Sequence, residues 1–183
     1  MDTNLTIVCF TGGTCGDLIY AMIDPRDVSI ASKSVTPDMD RSRLKKPHLF
    51  SNDDEKDQYI DSMALRYNSI PSHDLDYHIS RGHNFITITV QDFDHAIWAA
   101  SRFKELHRPQ VWQEMQDFCG AKSIEDYAQI LIDYSNMVVN HTNQVISMES
   151  IRSGGAVEEL SKYVVIPDSG KEIYQDWLSN QHD

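Results

Sequence analysis

Hydrophobic residues in this chain follow two periods. Residues 5–10 form a short apolar run rich in β-branched side chains, the pattern of a strand covered on both faces. Leu18, Ile19, Met22 and Ile23 then recur at helical spacing. Between the two lies Thr11-Gly12-Gly13-Thr14-Cys15-Gly16-Asp17. The order strand, glycine-rich turn, helix places backbone N–H groups around an anion, and the glycines ease the sharp turn.

The same periods organise the rest of the chain. Residues 28–35 alternate apolar and polar, which predicts a short strand or an extended connection. Residues 36–54 carry Pro37, Pro47 and many charges with little periodicity, and read as a long basic loop. Tyr59, Ile60, Met63 and Ala64 restore a helical pattern over residues 55–67. Residues 69–74 read as a brief extended piece, and residues 74–81 as a helical turn stopped by Gly82. Residues 84–90 are the second clear strand, and Asp92 after it is a natural N-cap for a helix with the stripe Phe93, Ala96, Ile97, Ala100 and Phe103. Pro109 and Gly120 bracket another helix. Ser123 with Asp126 forms a variant capping box for a helix over residues 124–140. Residues 144–148 read as a third strand, 156–162 as a helix, 163–166 as a further short strand and 169–178 as a closing helix.

Strands alternating with helices predict a single α/β domain over residues 1–183, three layers deep, with a mostly parallel sheet flanked by helices. Ligands of such sheets sit beyond the carboxyl ends of the strands. The segments 11–17, 91–94 and 149–155 then share one edge, which is the expected site.

Composition narrows the partners. The net charge of −12 argues against a general nucleic-acid binder, which needs a basic surface. Six of the sixteen basic residues nevertheless fall in one segment: Arg26, Lys33, Arg41, Arg43, Lys45 and Lys46. That segment suits either a small anionic ligand or a solvated loop. The three cysteines, Cys9, Cys15 and Cys119, show no paired spacing, so a reduced, cytoplasmic setting without a disulfide framework or metal site is expected. No apolar run approaches the roughly 20 residues that span a bilayer, and Met1-Asp2-Thr3-Asn4 lacks the basic start of a secretory signal.

The glycine turn lacks the Lys and following Ser or Thr of a Walker A loop. Asp17 is favoured by the helix dipole but competes with a bound phosphate, so standard ATP-driven phosphoryl transfer is not expected. The plainer reading is a self-capped turn, with Asp17 satisfying the helix N–H groups. His73, just before the second strand, is a candidate general base; His78 and His83 are expected at the surface. Ser101 and Arg102 lie on the helix after the second strand, where Arg102 can reach a phosphate or stay exposed. Arg152-Ser153-Gly154-Gly155 is either an anion clamp or an ordinary loop. Cys15 at a helix N-terminus has the setting that lowers a thiol pKa, with no base partner evident.

Together these segments resemble the sulfotransferase family, whose P-loop-like fold binds 3′-phosphoadenosine 5′-phosphosulfate (PAPS) without a metal. The turn from Thr11 to Asp17 occupies the place of the family's 5′-phosphosulfate loop. Pro71-Ser72-His73 is similar to its Lys-Thr/Ser-His element, with His73 as catalytic base. Residues 88–94 through Ser101 resemble the strand, Asp and helix Ser that hold the 3′-phosphate. A tryptophan-bearing late helix, here with Tyr174 and Trp177, also recurs. The chain departs from the family by having Thr14 for the loop's basic residue, Asp17 for a hydroxyl, Pro71 for Lys, Gln91 for Arg and Ala99 near the Ser position. The resemblance implies a P-loop-related fold and group transfer from an adenine-nucleotide donor, PAPS, to an acceptor hydroxyl. The cofactor, or its product adenosine 3′,5′-bisphosphate, would be held by Thr11, Gly12, Gly13, Thr14, Cys15, Gly16, Asp17, Asp92, Ser101 and Arg152. Two alternatives stay open: an inactive acidic protein that binds a basic protein partner, and a nucleotide-sugar glycosyltransferase, where Gly16-Asp17 is tolerated.

Overall fold

A computed structural model describes residues 5–25, 28–29, 38–39 and 50–180. The described strands are β1 (Thr6–Cys9), β2 (Val28–Ser29), β3 (Asp38–Met39), β4 (Ser69–Ser72), β5 (Phe85–Thr89) and β6 (Val145–Ser147). The helices are α1 (Gly16–Ile23), α2 (Asp53–Ala64), α3 (Leu75–Arg81), α4 (Phe93–Leu106), α5 (Pro109–Cys119), α6 (Ile124–Val138), α7 (Met148–Ser153), α8 (Ala156–Leu160) and α9 (Asp168–Ser179). Four strands form one sheet in the order β4-β1-β5-β6, and every pairing in it is parallel. Val8 stands opposite Pro71 on one side and Ile86 on the other. In chain order the sheet reads second, first, third, fourth, so the winding reverses beside β1. In sheets of this kind ligands bind beside such a reversal, beyond the carboxyl ends of the strands, here those of β1 and β5.

Both edges of the sheet are closed to further strands. β4 carries Pro71, which has no N–H and is tolerated at a sheet edge. Its pairing with β1 makes residues 69–72 a full strand, where the sequence pattern shows only an extended piece. On the other side the Tyr163 hydroxyl donates to the carbonyls of Asn143 at 3.1 Å and Val145 at 3.3 Å. The Ser147 N–H donates to the Glu159 carboxylate at 2.9 Å. Edge groups satisfied in this way offer no template for another strand. This corrects the short strand expected over residues 163–166. That segment is turn and coil, with Tyr163 serving as a cap on β6.

α1 is buried at every position except Asp17, and a helix that is apolar all round belongs inside a core. Val8, Ile86, Ile88 and Ile146 pack with α1 and with Ile173, Tyr174 and Trp177 of α9. On the other face Ile7, Cys9 and Phe85 pack with Ile60 and Met63 of α2, Leu75 and Tyr77 of α3, and Val138 of α6. Sheet and two helical layers thus match the expected class. Helix ends follow local chemistry: the carboxylate of Asp92 accepts from His95 N–H at 3.0 Å, and Ser123 Oγ accepts from Asp126 N–H at 3.1 Å. Pro109 opens α5 and Gly120 closes it. The expected long loop stops early because Asn52 caps α2 through Glu55 N–H at 2.9 Å. β2 and β3 pair antiparallel as a separate ribbon. The basic residues Arg26, Lys33, Arg41, Arg43, Lys45 and Lys46 lie outside the described residues. Among the described residues no helix is long and apolar enough to cross a membrane.

α1 and α9 meet backbone to side: a Cβ on Gly170 would collide with the carbonyl of Met22. Ala is the better helix former by about 1 kcal/mol, yet overpacking of this kind costs about 1–3 kcal/mol. Gly170→Ala is therefore expected to lower stability in urea denaturation. A gain in stability would show that α1 and α9 are not packed this closely.

Candidate functional site

The carboxyl edge is built around the turn between β1 and α1. Thr14 fastens it, donating from N–H at 3.3 Å and from Oγ1 at 2.8 Å to the carbonyl of Thr11. Gly13 has φ of 89° and Cys15 φ of 59°, so two residues of the turn sit in the left-handed region, which costs a non-glycine residue energy. Cys15 is the N-cap of α1 and supplies no side-chain cap.

The glycines of this turn are filled by the protein itself. A Cβ on Gly12 would strike the Phe103 ring, on Gly13 the Ala99 carbonyl, and on Gly16 the Phe10 ring. Phe103 belongs to an aromatic roof with Trp112 and Tyr127. The Tyr127 hydroxyl donates to the Gly12 carbonyl at 3.0 Å. α4 and α6 therefore clamp one side of the turn, and Phe10 fills the other.

Donors remain at its mouth. The N–H groups of Gly13, Cys15 and Gly16 have no hydrogen-bond partner among the described residues. Thr11 Oγ1 and Arg102 Nε are buried atoms without a partner among the described residues. Arg102 and Arg152 both lie close enough to the Cys15 thiol to favour its anion, although burial dominates and pushes its pKa up to about 12. Cys15 is thus a protonated thiol at neutral pH, contrary to the reactive setting its place in the chain suggests. Asp17 stands in the first turn, half-buried.

The remaining expected residues divide. His73 Nδ1–H donates to the Phe10 carbonyl at 2.6 Å, and its ring meets Phe10 edge-on with centroids 4.5 Å apart. This fixes His73 beside the turn with its ring exposed. Arg102 is three residues from Ala99 and Phe103 four, so all share the helix face that meets the turn. Ser101, two residues from Ala99, is on the far side of α4. Arg152 lies in α7, not in a loop, because Ser147 Oγ caps that helix through Ser150 N–H at 3.0 Å. Its guanidinium spreads over Trp98 at 4.5 Å and donates to His95 Nδ1 at 2.9 Å. The N–H groups of Gln91 and Asp92, where the resemblance places a phosphate, donate to Glu149 at 3.3 and 3.1 Å. The Asp92 carboxylate is engaged as the cap of α4. Among the described residues no three His, Cys, Asp or Glu side chains form a metal-holding group.

His78 is fully buried, which corrects its expected surface position. Its Nε2 pairs with Ser72 Oγ at 2.7 Å, and its Nδ1 lies 3.1 Å from His83 Nδ1. Only one proton fits between those two atoms. Ser72 Oγ also accepts from Asp74 N–H, and Asp74 holds Lys56 at 2.6 Å. The pattern Ser72-x₅-His78-x₄-His83 carries no sequence signal of this, because the three meet through the fold of α3 onto β4.

No family model matches the chain, and neither a curated protein nor a solved structure matches it.

Burial, with the neighbouring His83, lowers the His78 pKa from its ordinary 6.5 to about 4. A neutral folded histidine binds fewer protons than the unfolded chain below its unfolded pKa. Stability is therefore full above pH 6.5, falls as pH drops below it, and levels off near pH 4. Urea midpoints of the wild-type protein should fall on moving from neutral to mildly acidic buffer, and His78→Gln should flatten that dependence. An unchanged slope in the variant would contradict the assignment.

Proposed function

We propose that the β1–α1 turn at the carboxyl edge binds the phosphate or sulfate end of a small molecule, and that the chain transfers a group from an adenine-nucleotide donor, PAPS, to an acceptor hydroxyl. The observation behind this reading is a set of donors without a partner among the described residues: three backbone N–H groups and Thr11 Oγ1 of the turn, and Arg102 Nε on α4. Buried donors of this kind are costly unless a partner arrives. An anion at the N-terminus of α1 would satisfy them and gain from the helix dipole. Arg102 supplies the cation that the resembling loop carries at the place of Thr14, with Arg152 nearby. His73 sits on the opposite flank, held there by the Phe10 carbonyl at 2.6 Å, and is the candidate base for an acceptor hydroxyl. The backbone donors would stabilise charge that develops on the leaving group.

A second reading has its own observation. Glu149 already occupies the N–H groups of Gln91 and Asp92, where a bound 3′-phosphate would need them. That favours an inactive acidic protein that binds a basic partner.

Thermal melting with adenosine 3′,5′-bisphosphate separates the two. Ligand at a hundredfold over its Kd adds about 2.7 kcal/mol, which for a domain of this size raises Tm by about 5–10 °C. Arg102→Ala should remove most of that rise, and His73→Ala should keep binding while abolishing sulfuryl transfer. No rise with the bisphosphate, or a rise indifferent to Arg102, would support the non-catalytic reading.

A further inference from the structure

A groove of about 830 Å³ crosses the opposite edge of the sheet, at the amino ends of the strands. It is remote from the turn and plays no part in the proposed transfer. Asn68, Asn84 and Gln144 line it, each standing immediately before β4, β5 and β6, and Thr6 opens β1 between them. Gln144 Nε2 donates to Asn84 Oδ1 at 2.9 Å. That bond leaves the Asn84 amide hydrogens and the Gln144 carbonyl oxygen, donors and an acceptor, without a hydrogen-bond partner among the described residues. Adjacent hydroxyls of a polyol present the same pair in reverse.

The described lining of the groove is mostly uncharged. Among the described lining residues there is no Lys or Arg, and the one carboxylate, Asp24, is buried and accepts the Asn68 N–H at 2.7 Å. Val164 and Val165 add an apolar lip to the same groove, with Val165 90% exposed. Exposed valine at the rim of a polar groove suits the C–H face of a sugar ring. The volume falls within the range of small-molecule sites, about 300–1,000 Å³.

We propose that this groove binds a neutral, hydroxyl-rich small molecule, of the class of a mono- or disaccharide, through the Asn84–Gln144 amide pair and the Val164–Val165 lip. The test is an amide NMR titration of the full chain with D-glucose, N-acetylglucosamine, maltose and myo-inositol as probes. At least one probe should give saturable shifts at Thr6, Asn84, Gln144 and Val165. The double variant Asn84→Ala/Gln144→Ala should weaken that binding about tenfold or more, the loss expected when several ligand hydrogen bonds are removed together. Val165→Asp, on an exposed position that leaves the core untouched, should weaken it as well. A flat response to all four probes overturns the proposal, as does equal binding by the double variant. Shifts produced only by an uncharged blocked dipeptide would assign the groove to peptide and overturn it too. Adenosine 3′,5′-bisphosphate should not move these amides, so failure here is distinct from failure at the carboxyl edge.

Discussion

The structure depends on how the chain leaves β1 and enters α1. Phe10 lays its ring where a side chain on Gly16 would be, so the helix starts directly against the end of the strand. This close start draws α1 into the core, where every residue but Asp17 is buried. Once α1 is central, its neighbours are determined. α9 must approach it at Gly170, and β4 and β5 must flank β1 beneath it. A larger residue at position 16 would push the helix away from the sheet and open the core that both layers share.

The same constraint shapes the chemistry of the carboxyl edge. A turn held open by glycines usually leaves space for a ligand, but here Phe10, Phe103 and the Ala99 carbonyl take up that space. What remains for a ligand is the rim: N–H groups at the start of α1, Thr11 Oγ1 and Arg102 Nε, with Arg102 Nη1 donating to Glu105 at 3.0 Å. Glu149 and Arg152, both on α7, complete the rim with opposite charges. One is bound to the loop after β5, and the other is stacked on Trp98.

Local chemistry is legible in the sequence, and long-range packing is not. β1, the turn, α1 and β5 can be read from periodicity. So can the caps at Asp92 and Ser123 and the Pro109–Gly120 bracket, because each is set by residues within a few positions. β4 hides behind Pro71 and two serines, and only its pairing with β1 makes it a strand. α7 hides behind a strand pattern ended by Ser147, whose hydroxyl is a helix cap. Tyr163 looks like the start of a strand because its hydroxyl finds β6 only in three dimensions. For the site, the turn is legible, whereas His73 comes beside it only because β4 pairs with β1 and ends next to Phe10. The position of Arg102 follows from α4 packing on Gly13, which no spacing reveals. Burial of His78 depends on α3 folding back onto Ser72 and is equally invisible.

Anion entry at the rim of the β1–α1 turn is the point on which the functional reading stands. Titration of inorganic phosphate into ¹⁵N-labelled protein, followed at the backbone amides and at the arginine Nε signals, addresses it directly. An anion seated there produces saturable shifts at Gly13, Cys15 and Gly16 together with Arg102 Nε. Shifts confined to Gln91 and Asp92, or none at the turn, would contradict it.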